Sequence, residues 1–377
     1  MSRKLRIGLI YGGKSGEHDV SLQTALAVMK AMDFSKYEII PFYITKQGEW
    51  RAGHQLQAPV ESKEALTFGG ACAEADGQTS YALATFFGGA GTLSAADEGP
   101  GELNRIDVVF PLLHGTFGED GTIQGLLEIA NIPYVGAGVL ASAVGMDKVM
   151  MKKIFAQEGL PQCVFRHFTR SQWENNQDFH LIEVETAIGY PCFVKPANLG
   201  SSVGITKAKN RGELLKAISF AFQYDRKVII EENIDAREIE VSVLGNEQPV
   251  ASVPGEIVSS NEFYDYRAKY TDGKSAMVIP ADIPKKIGEE LRELAIHAFQ
   301  AIDGSGLSRV DFFLTKSDNR IYINEINTMP GFTPFSMYPL LWKESGKPYA
   351  ELLDDLISLA VERHKAKQQI QYTFDVE

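Results

Sequence analysis

The strongest chemical pattern in this chain of 377 residues is a pair of short apolar stretches that carry polar side chains at regular spacing. The first contains Asp311, and the second, across a short turn, contains Glu325 and Asn327. Because side chains alternate along strands, pairing the stretches as a hairpin sets Asp311 beside Glu325. The same alternation puts Ile321 and Ile323 on the face of Glu325 and Asn327. Two carboxylates and an amide oxygen suit Mg²⁺ shared with phosphates, although a solvated hairpin face is the alternative.

A second pattern predicts phosphate binding. Lys195 ends an apolar strand, and the loop 198–204 that follows contains glycines that let backbone N–H groups approach an anion. Lys148 stands at the start of a predicted helix, where the dipole also favours anions. Acidic residues flank the turn 233–237 and could accept hydrogen bonds from ribose hydroxyls; they are Glu231, Glu232 and Glu238. A plain hairpin turn and a solvated charge cluster are the alternative interpretations.

Two other glycine strings are rejected. Residues 8–15 match the P-loop pattern by letter, but Gly8 lies inside a predicted strand, whereas a P-loop needs it in the loop after the strand. Residues 136–141 read GxGxxA but lack a following strand that ends in an acidic residue. A turn between domains is the better interpretation of this string.

The elements that must position these residues follow from hydrophobic periodicity. Strands at 5–11, 37–44 and 106–113, with a helix at 21–32, indicate a parallel α/β sheet. A stretch rich in Gly, Ala and Ser, 52–103, is predicted to be a loosely structured insertion.

The remainder of the chain alternates between further strands and helices. Strands are predicted at 192–196, 227–232 and 238–244, helices at 147–159, 284–301 and 348–365, and a hairpin at 304–327. The predicted domains are 1–140, 141–235 and 236–377.

Composition excludes several functional classes. Lys plus Arg total 37 against 49 Asp plus Glu, a net charge of −12, so neither nucleic acid nor an anionic membrane is an expected partner. A few lysines and a metal ion can still bind a nucleotide locally. Cys72, Cys163 and Cys192 form no disulfide or zinc pattern, and no apolar run reaches the ~20 residues of a membrane span. We therefore expect a cytoplasmic protein.

Several ordered strings give the chain a resemblance to the D-alanine–D-alanine ligase family of the ATP-grasp superfamily, from residue 5 to about 364. The strings are 12–21, 113–125, 146–148, 193–196, 200–204, 263–270 and 324–333. The resemblance implies a three-domain ATP-grasp architecture, with an N-terminal α/β parallel-sheet domain and an α+β ATP-grasp part. It also implies the activity of such ligases, which use ATP to convert one D-alanine to an acyl phosphate and then join it to a second D-alanine. The product would serve peptidoglycan precursor synthesis.

The resemblance also implies roles in binding and joining the two amino acids. Glu17 would hold the first ammonium and form a hydrogen-bonded set with Ser201 and Tyr270, and His114 would lie near that substrate. Arg309 and the Gly331 N–H would stabilise the oxyanion. Ser336 and the Met337 N–H would bind the carboxylate of the second D-alanine, and Lys269 would reach the transferred phosphate. Tyr270 matches relatives that form the dipeptide.

For ATP and metal, the resemblance implies phosphate ligands in Lys148 and Lys195 and main-chain contacts from Glu232 and Ile234 to adenine. Glu238 would meet the ribose. Two Mg²⁺ ions, replaceable by Mn²⁺, would be held by Asp311, Glu325 and Asn327. The family also implies a homodimer. Two alternatives stay open: ligation of D-alanine to D-lactate or D-serine, and a non-catalytic nucleotide-binding sensor.

Overall fold

The structure, a computed structural model, describes residues 3–68, 106–200, 203–258 and 276–371. Within these ranges the strands form three sheets covered by helices, in agreement with the predicted mixed α/β class. Three predicted site residues, Ser201, Lys269 and Tyr270, lie outside the described ranges, as does most of the predicted insertion. None of the helices described combines the length and the apolar character required to cross a bilayer.

The first sheet has the strand order β3-β2-β1-β4, and β1 runs parallel to both β2 and β4 as predicted. Its elements are β1 (Leu5–Gly12), α1 (His18–Ala31), β2 (Tyr37–Ile44), β3 (Trp50–Ala52) and β4 (Val108–Pro111), followed by α2 (Thr122–Ile129) and α3 (Val139–Met146). Gly8 lies within β1, which agrees with rejecting the P-loop. The start of the predicted insertion is ordered, contrary to expectation: Leu66 is buried, and its carbonyl accepts a hydrogen bond from the Tyr11 hydroxyl at 3.1 Å.

The second sheet is antiparallel, in the order β5-β8-β6-β7. Its strands are β5 (Phe165–Thr169), β6 (Cys192–Pro196), β7 (Thr206–Ala208) and β8 (Lys227–Glu232), and the accompanying helices are α4 (Lys148–Gln157), α5 (Arg170–Asn175), α6 (Gln177–Ala187) and α7 (Arg211–Ala221). Helix α4 connects two cores, because Val149 clusters with residues of the second sheet whereas Phe155 belongs to the core of the third.

The third sheet is also antiparallel, in the order β12-β11-β9-β13-β14, with β10 paired to β9. Its strands are β9 (Ala236–Gly245), β10 (Val250–Ala251), β11 (Gly255–Val258), β12 (Ala276–Val278), β13 (Gly306–Thr315) and β14 (Ile321–Asn327), and the helices are α8 (Lys285–Ala301), α9 (Met337–Glu344) and α10 (Tyr349–Lys367). Helix α10 buries Leu352 and Leu356 in the core of the first sheet, so the end of the chain ties the first and third sheets together.

The β13–β14 hairpin confirms one prediction and corrects another. Asp311 pairs with Glu325 as predicted, but the next pair is Phe312 with Ile323, so Asn324 is an extra residue in a β-bulge. Ile323 is therefore buried while Glu325 faces the opposite side, and the expectation that these two share a face is wrong. A bulge of one residue reverses which face the following side chains occupy, and strand alternation alone does not reveal it.

Candidate active site

Two cavities meet at the junction of the three sheets. The first has a volume of about 350 Å³ and the second about 560 Å³. Ile205, Glu240 and Glu325 line both of them, so the cavities adjoin at these side chains. Volumes of this size are typical of sites for small molecules and cofactors.

The second cavity brings together most of the residues predicted to bind ATP. Its walls are formed by the ends of β6 and β8 on one side and by β9, β13 and β14 on the other. The predicted residues in these walls are Lys195, Glu231, Glu232, Ile234, Glu238, Asp311 and Glu325. Residues 233–235, between β8 and β9, line the same cavity.

Lys195 lies at the floor of the second cavity and is held by two side chains. Its Nζ atom is 2.5 Å from Glu231 Oε2 and 3.5 Å from Asn324 Oδ1, the amide of the bulge residue. Glu231 Oε1 is 3.0 Å from the Nζ atom of Lys152. Both carboxylate oxygens of Glu231 therefore contact lysines, and the contact with a ribose hydroxyl expected from sequence stays a prediction.

The charges of this group are fixed by their contacts. Burial by itself raises the pKa of Glu231, but Lys152 and Lys195 lower it to about 2. Burial likewise opposes the charged form of Lys195, but Glu231 outweighs it and raises the pKa of that ammonium. Lys195 is thus cationic at neutral pH, as a phosphate ligand must be.

Lys148 lines the first cavity from the start of α4. The helix begins there because the Asp147 carboxylate accepts hydrogen bonds from the N–H groups of Val149 and Met150, each at 3.1 Å. The Lys148 Nζ atom donates to the Leu199 carbonyl at 2.9 Å and lies 3.4 Å from Glu325 Oε2. It thus stands beside a predicted metal ligand and a predicted phosphate-binding loop.

The predicted metal ligands lie where the cavities adjoin. The Asp311 carboxylate accepts two hydrogen bonds of 2.7 Å from the Arg309 guanidinium and one of 3.0 Å from the Asn327 amide. Among the described residues no group of three or more His, Cys, Asp and Glu side chains forms a metal site by itself. Two carboxylates and an amide nevertheless fit Mg²⁺, which characteristically binds to one or two carboxylates and completes its shell with water and substrate phosphates.

Arg309 is held between two carboxylates at the border of the first cavity. Its Nε atom is 2.7 Å from Asp311 and 3.1 Å from Glu240 Oε2. Burial lowers the pKa of the guanidinium, but Asp311 and Glu240 outweigh this and raise it well above its usual value. The geometry therefore presents a rigid, permanent cation to the cavity.

The segment before α9 supplies small polar groups to the first cavity. Gly331 and Ser336 lie against each other, since a Cβ atom on Gly331 would be 3.2 Å from Ser336 Oγ. Ser336 is the N-cap of α9, and Met337 is its first residue. The first N–H groups of a helix favour an anion, so the predicted carboxylate site coincides with an actual helix start.

Glu17 and Glu119 bring two carboxyl groups to Gly115, and sequence reasoning missed the second of them. The Gly115 N–H donates to Glu119 Oε2 at 2.7 Å, and a Cβ atom on Gly115 would be 2.8 Å from Glu17 Oε2. Burial and the nearby Glu17 carboxylate raise the pKa of Glu119 well above its usual value. Glu119 belongs to the string 113–125 that contributed to the resemblance, so its signal was present in the sequence.

His114 is buried in the wall of the first cavity as a neutral ring. Its Nδ1 atom is 3.2 Å from the Met329 carbonyl, and its Nε2 atom is 3.0 Å from Thr24 Oγ1. Because a carbonyl only accepts, Nδ1 carries the proton and Nε2 accepts from the Thr24 hydroxyl. Burial lowers the pKa of His114 to about 4, so this ring joins α1 to the segment after β14 without carrying charge.

Comparison with family models gives two matches that together span most of the chain. A model described as D-ala D-ala ligase N-terminus matches residues 6–137, and one described as D-ala D-ala ligase C-terminus matches residues 154–358. A D-alanine–D-alanine ligase of Bacillus cytotoxicus is 58% identical over 370 residues, covering 98% of this chain and 99% of the relative.

Solved structures of related ligases share the fold. The D-alanine–D-alanine ligase of Coxiella burnetii has a TM-score of 0.77 at 34% identity and covers 98% of this chain and 97% of its own. A D-Ala:D-Ser ligase of Enterococcus faecalis has a TM-score of 0.79 at 36% identity and covers 95% of this chain and 100% of its own.

Proposed function

Since this chain belongs to the D-alanine–D-alanine ligase family, we propose that it joins two D-alanine molecules at the expense of ATP, through an acyl phosphate. The observation that carries the proposal is the junction of the two cavities, where Arg309, Asp311 and Glu325 lie between an amino-acid-sized space and a nucleotide-sized space. Transfer of a phosphoryl group from one ligand to the other requires such a junction.

In the first step ATP occupies the second cavity with its phosphates toward Lys195 and Lys148. Glu17 holds the ammonium of the first D-alanine, and an oxygen of that substrate's carboxylate attacks the γ-phosphorus. The new P–O bond forms as the bond to the β–γ bridging oxygen breaks, and ADP is released as the leaving group. Mg²⁺ held by Asp311, Glu325 and Asn327 would neutralise phosphate charge, and Mn²⁺ offers the same oxygen-directed chemistry.

In the second step the neutral amine of the second D-alanine attacks the acyl carbon. The Arg309 guanidinium and the Gly331 N–H stabilise the negative oxygen of the tetrahedral intermediate. The C–N bond forms, the C–O bond to phosphate breaks, and the new ammonium gives its proton to the departing phosphate to become the amide. Ser336 and the Met337 N–H bind the carboxylate of the second substrate, and Lys269, Ser201 and Tyr270, outside the described residues, remain predicted partners.

D-Alanine is the favoured second substrate. Relatives named D-alanine–D-alanine ligase reach 58% identity over nearly the full length, whereas the D-Ala:D-Ser ligase structure is 36% identical. Tyr270 supports dipeptide formation by the resemblance already described. The product is a dipeptide of the kind used as a peptidoglycan precursor.

The proposed assembly is a homodimer formed through the first sheet's helices. Large apolar side chains are exposed on α2, on α3 and in the loop before α2, and the two helices contact each other. They are Phe117, Ile129, Val139 and Leu140, with exposed fractions of 51%, 84%, 40% and 59%. Exposed apolar groups on adjoining elements are typical of subunit interfaces. The requirement for ATP and the free thiols of Cys163 and Cys192 support a cytoplasmic location.

The proposed function is tested by supplying ATP, Mg²⁺ and D-alanine to the purified protein and measuring ADP with a coupled assay. ADP release that depends on D-alanine, with D-alanyl-D-alanine identified by mass spectrometry, is the expected result. Parallel reactions with D-lactate or D-serine added distinguish the alternative ligases. Nucleotide binding with no D-alanine-dependent ADP would instead favour a non-catalytic sensor.

A further inference from the structure

A buried lysine that touches neither cavity stands behind the proposed phosphate ligand. Lys152 lies on α4, one turn after Lys148, and only 1% of its surface is exposed. Its Nζ atom is 3.0 Å from Glu231 Oε1 and 3.6 Å from the Cys163 thiol. Lys152 is absent from the walls of both cavities, so its contact with a ligand would be indirect.

Glu231 is shared between Lys152 and Lys195. The two ammonium groups contact different oxygens of the one carboxylate, at 3.0 and 2.5 Å. Two positive charges and one negative charge leave an excess of one positive charge in a group that is almost entirely buried. Of the two lysines only Lys195 lines the second cavity, so the ammonium that a ligand there can contact is the one of Lys195.

With Lys152, Glu231 and Lys195 all charged, this group carries a net positive charge that a bound anion can balance. An ion pair of Lys195 with Glu231 alone would be neutral and would compete with any phosphate for the ammonium. With Lys152 present, Glu231 is divided between two cations and cannot neutralise Lys195 fully. A bound phosphate then completes the charge balance.

We infer that Lys152 is a positioning residue for nucleotide phosphate: by holding one oxygen of Glu231, it leaves the Lys195 ammonium incompletely neutralised and available to the polyphosphate in the second cavity. This inference rests on the proposed use of ATP. It adds a residue that acts through Glu231 and makes no contact with nucleotide.

The test compares variants at Lys152 with a matched variant at Lys153, the next residue of α4, which is exposed. K152Q removes the charge but keeps an N–H donor, K152R keeps the charge, and K153Q is the control. The readouts are the Kd of ADP by calorimetry, the inhibition constant of adenosine, and the KM values of ATP and D-alanine. We expect K152Q to weaken ADP binding and raise the KM of ATP at least about tenfold, with adenosine and D-alanine changed less than about twofold. K152R and K153Q should remain within about threefold of wild type.

A second variant separates charge sharing from a general effect on folding. In the K152Q/E231Q double variant the competing carboxylate is also gone, while Glu325 still favours the charged form of Lys195, so ADP affinity should recover at least about threefold relative to K152Q. Equal loss of ADP and adenosine binding in K152Q, or no recovery in the double variant, would overturn the inference. Failure of the wild type to bind ADP would instead overturn the proposed function.

Discussion

Substitution of Gly115 by alanine tests the proposed position of the first substrate. Gly115 has a φ of +73°, and a Cβ atom there would be 2.8 Å from Glu17 Oε2. The left-handed backbone costs a non-glycine residue roughly 1–2 kcal/mol. The close approach is relieved by moving the flexible end of Glu17, so the main consequence is a displaced carboxylate. The proposed hydrogen bond from the first D-alanine's ammonium to Glu17 joins charged groups, so it contributes about 1.5–3 kcal/mol. Loss of half of that free energy raises the KM of the first D-alanine about tenfold or less.

Gly159 supplies the matched control. Its φ is +71°, and a Cβ atom there would meet nothing within 4 Å. G159A should therefore lose the same roughly 1–2 kcal/mol of unfolding free energy in urea as G115A, with unchanged kinetics. Initial rates of ADP release, fitted with separate KM values for the two D-alanine sites, provide the assay, and the KM of ATP should not move. If G115A and G159A give the same KM for the first D-alanine, Glu17 does not hold its ammonium and the reasoning fails.

Three further substitutions have distinct expected outcomes. The pKa of Glu119 is raised in the folded protein, so ionising this carboxyl lowers the stability of the wild type as pH rises. The melting temperature of E119Q should therefore rise relative to that of the wild type between pH 4 and pH 8. A difference that stays constant over this range would contradict the prediction. The pKa of His114 is lowered from 6.5 to about 4, so the stabilisation from its neutral ring is complete above pH 6.5 and is lost as pH falls toward 4. Chemical denaturation should show a loss of unfolding free energy on the order of 3 kcal/mol over this range. H114Q should show a smaller loss, and the same acid profile in both proteins would refute the prediction. D311N removes a charge from the proposed metal site, so the Mg²⁺ concentration for half-maximal rate should rise at least about tenfold; an unchanged Mg²⁺ titration would exclude Asp311 as a ligand.

The sequence by itself determined the local features of the site. Alternation of apolar and polar residues predicts the β13–β14 hairpin and the pairing of Asp311 with Glu325, because strand geometry depends only on neighbouring residues. The apolar run before Lys195 and the capping Asp147 before Lys148 likewise place both lysines at element ends. The domain limits 1–140, 141–235 and 236–377 remain predictions, although β8 and β9 do belong to different sheets.

Only the tertiary structure decided how these features act on one another. The contact of Asn324 with Lys195, the approach of Glu119 to Glu17 and the sharing of Glu231 by two lysines join residues far apart in the chain. Their charges depend on desolvation and on distances across sheets, and neither quantity is a property of local sequence. Most residues of the site were therefore visible in the sequence, whereas the raised pKa of Glu119 and the charge balance around Lys195 were set by packing.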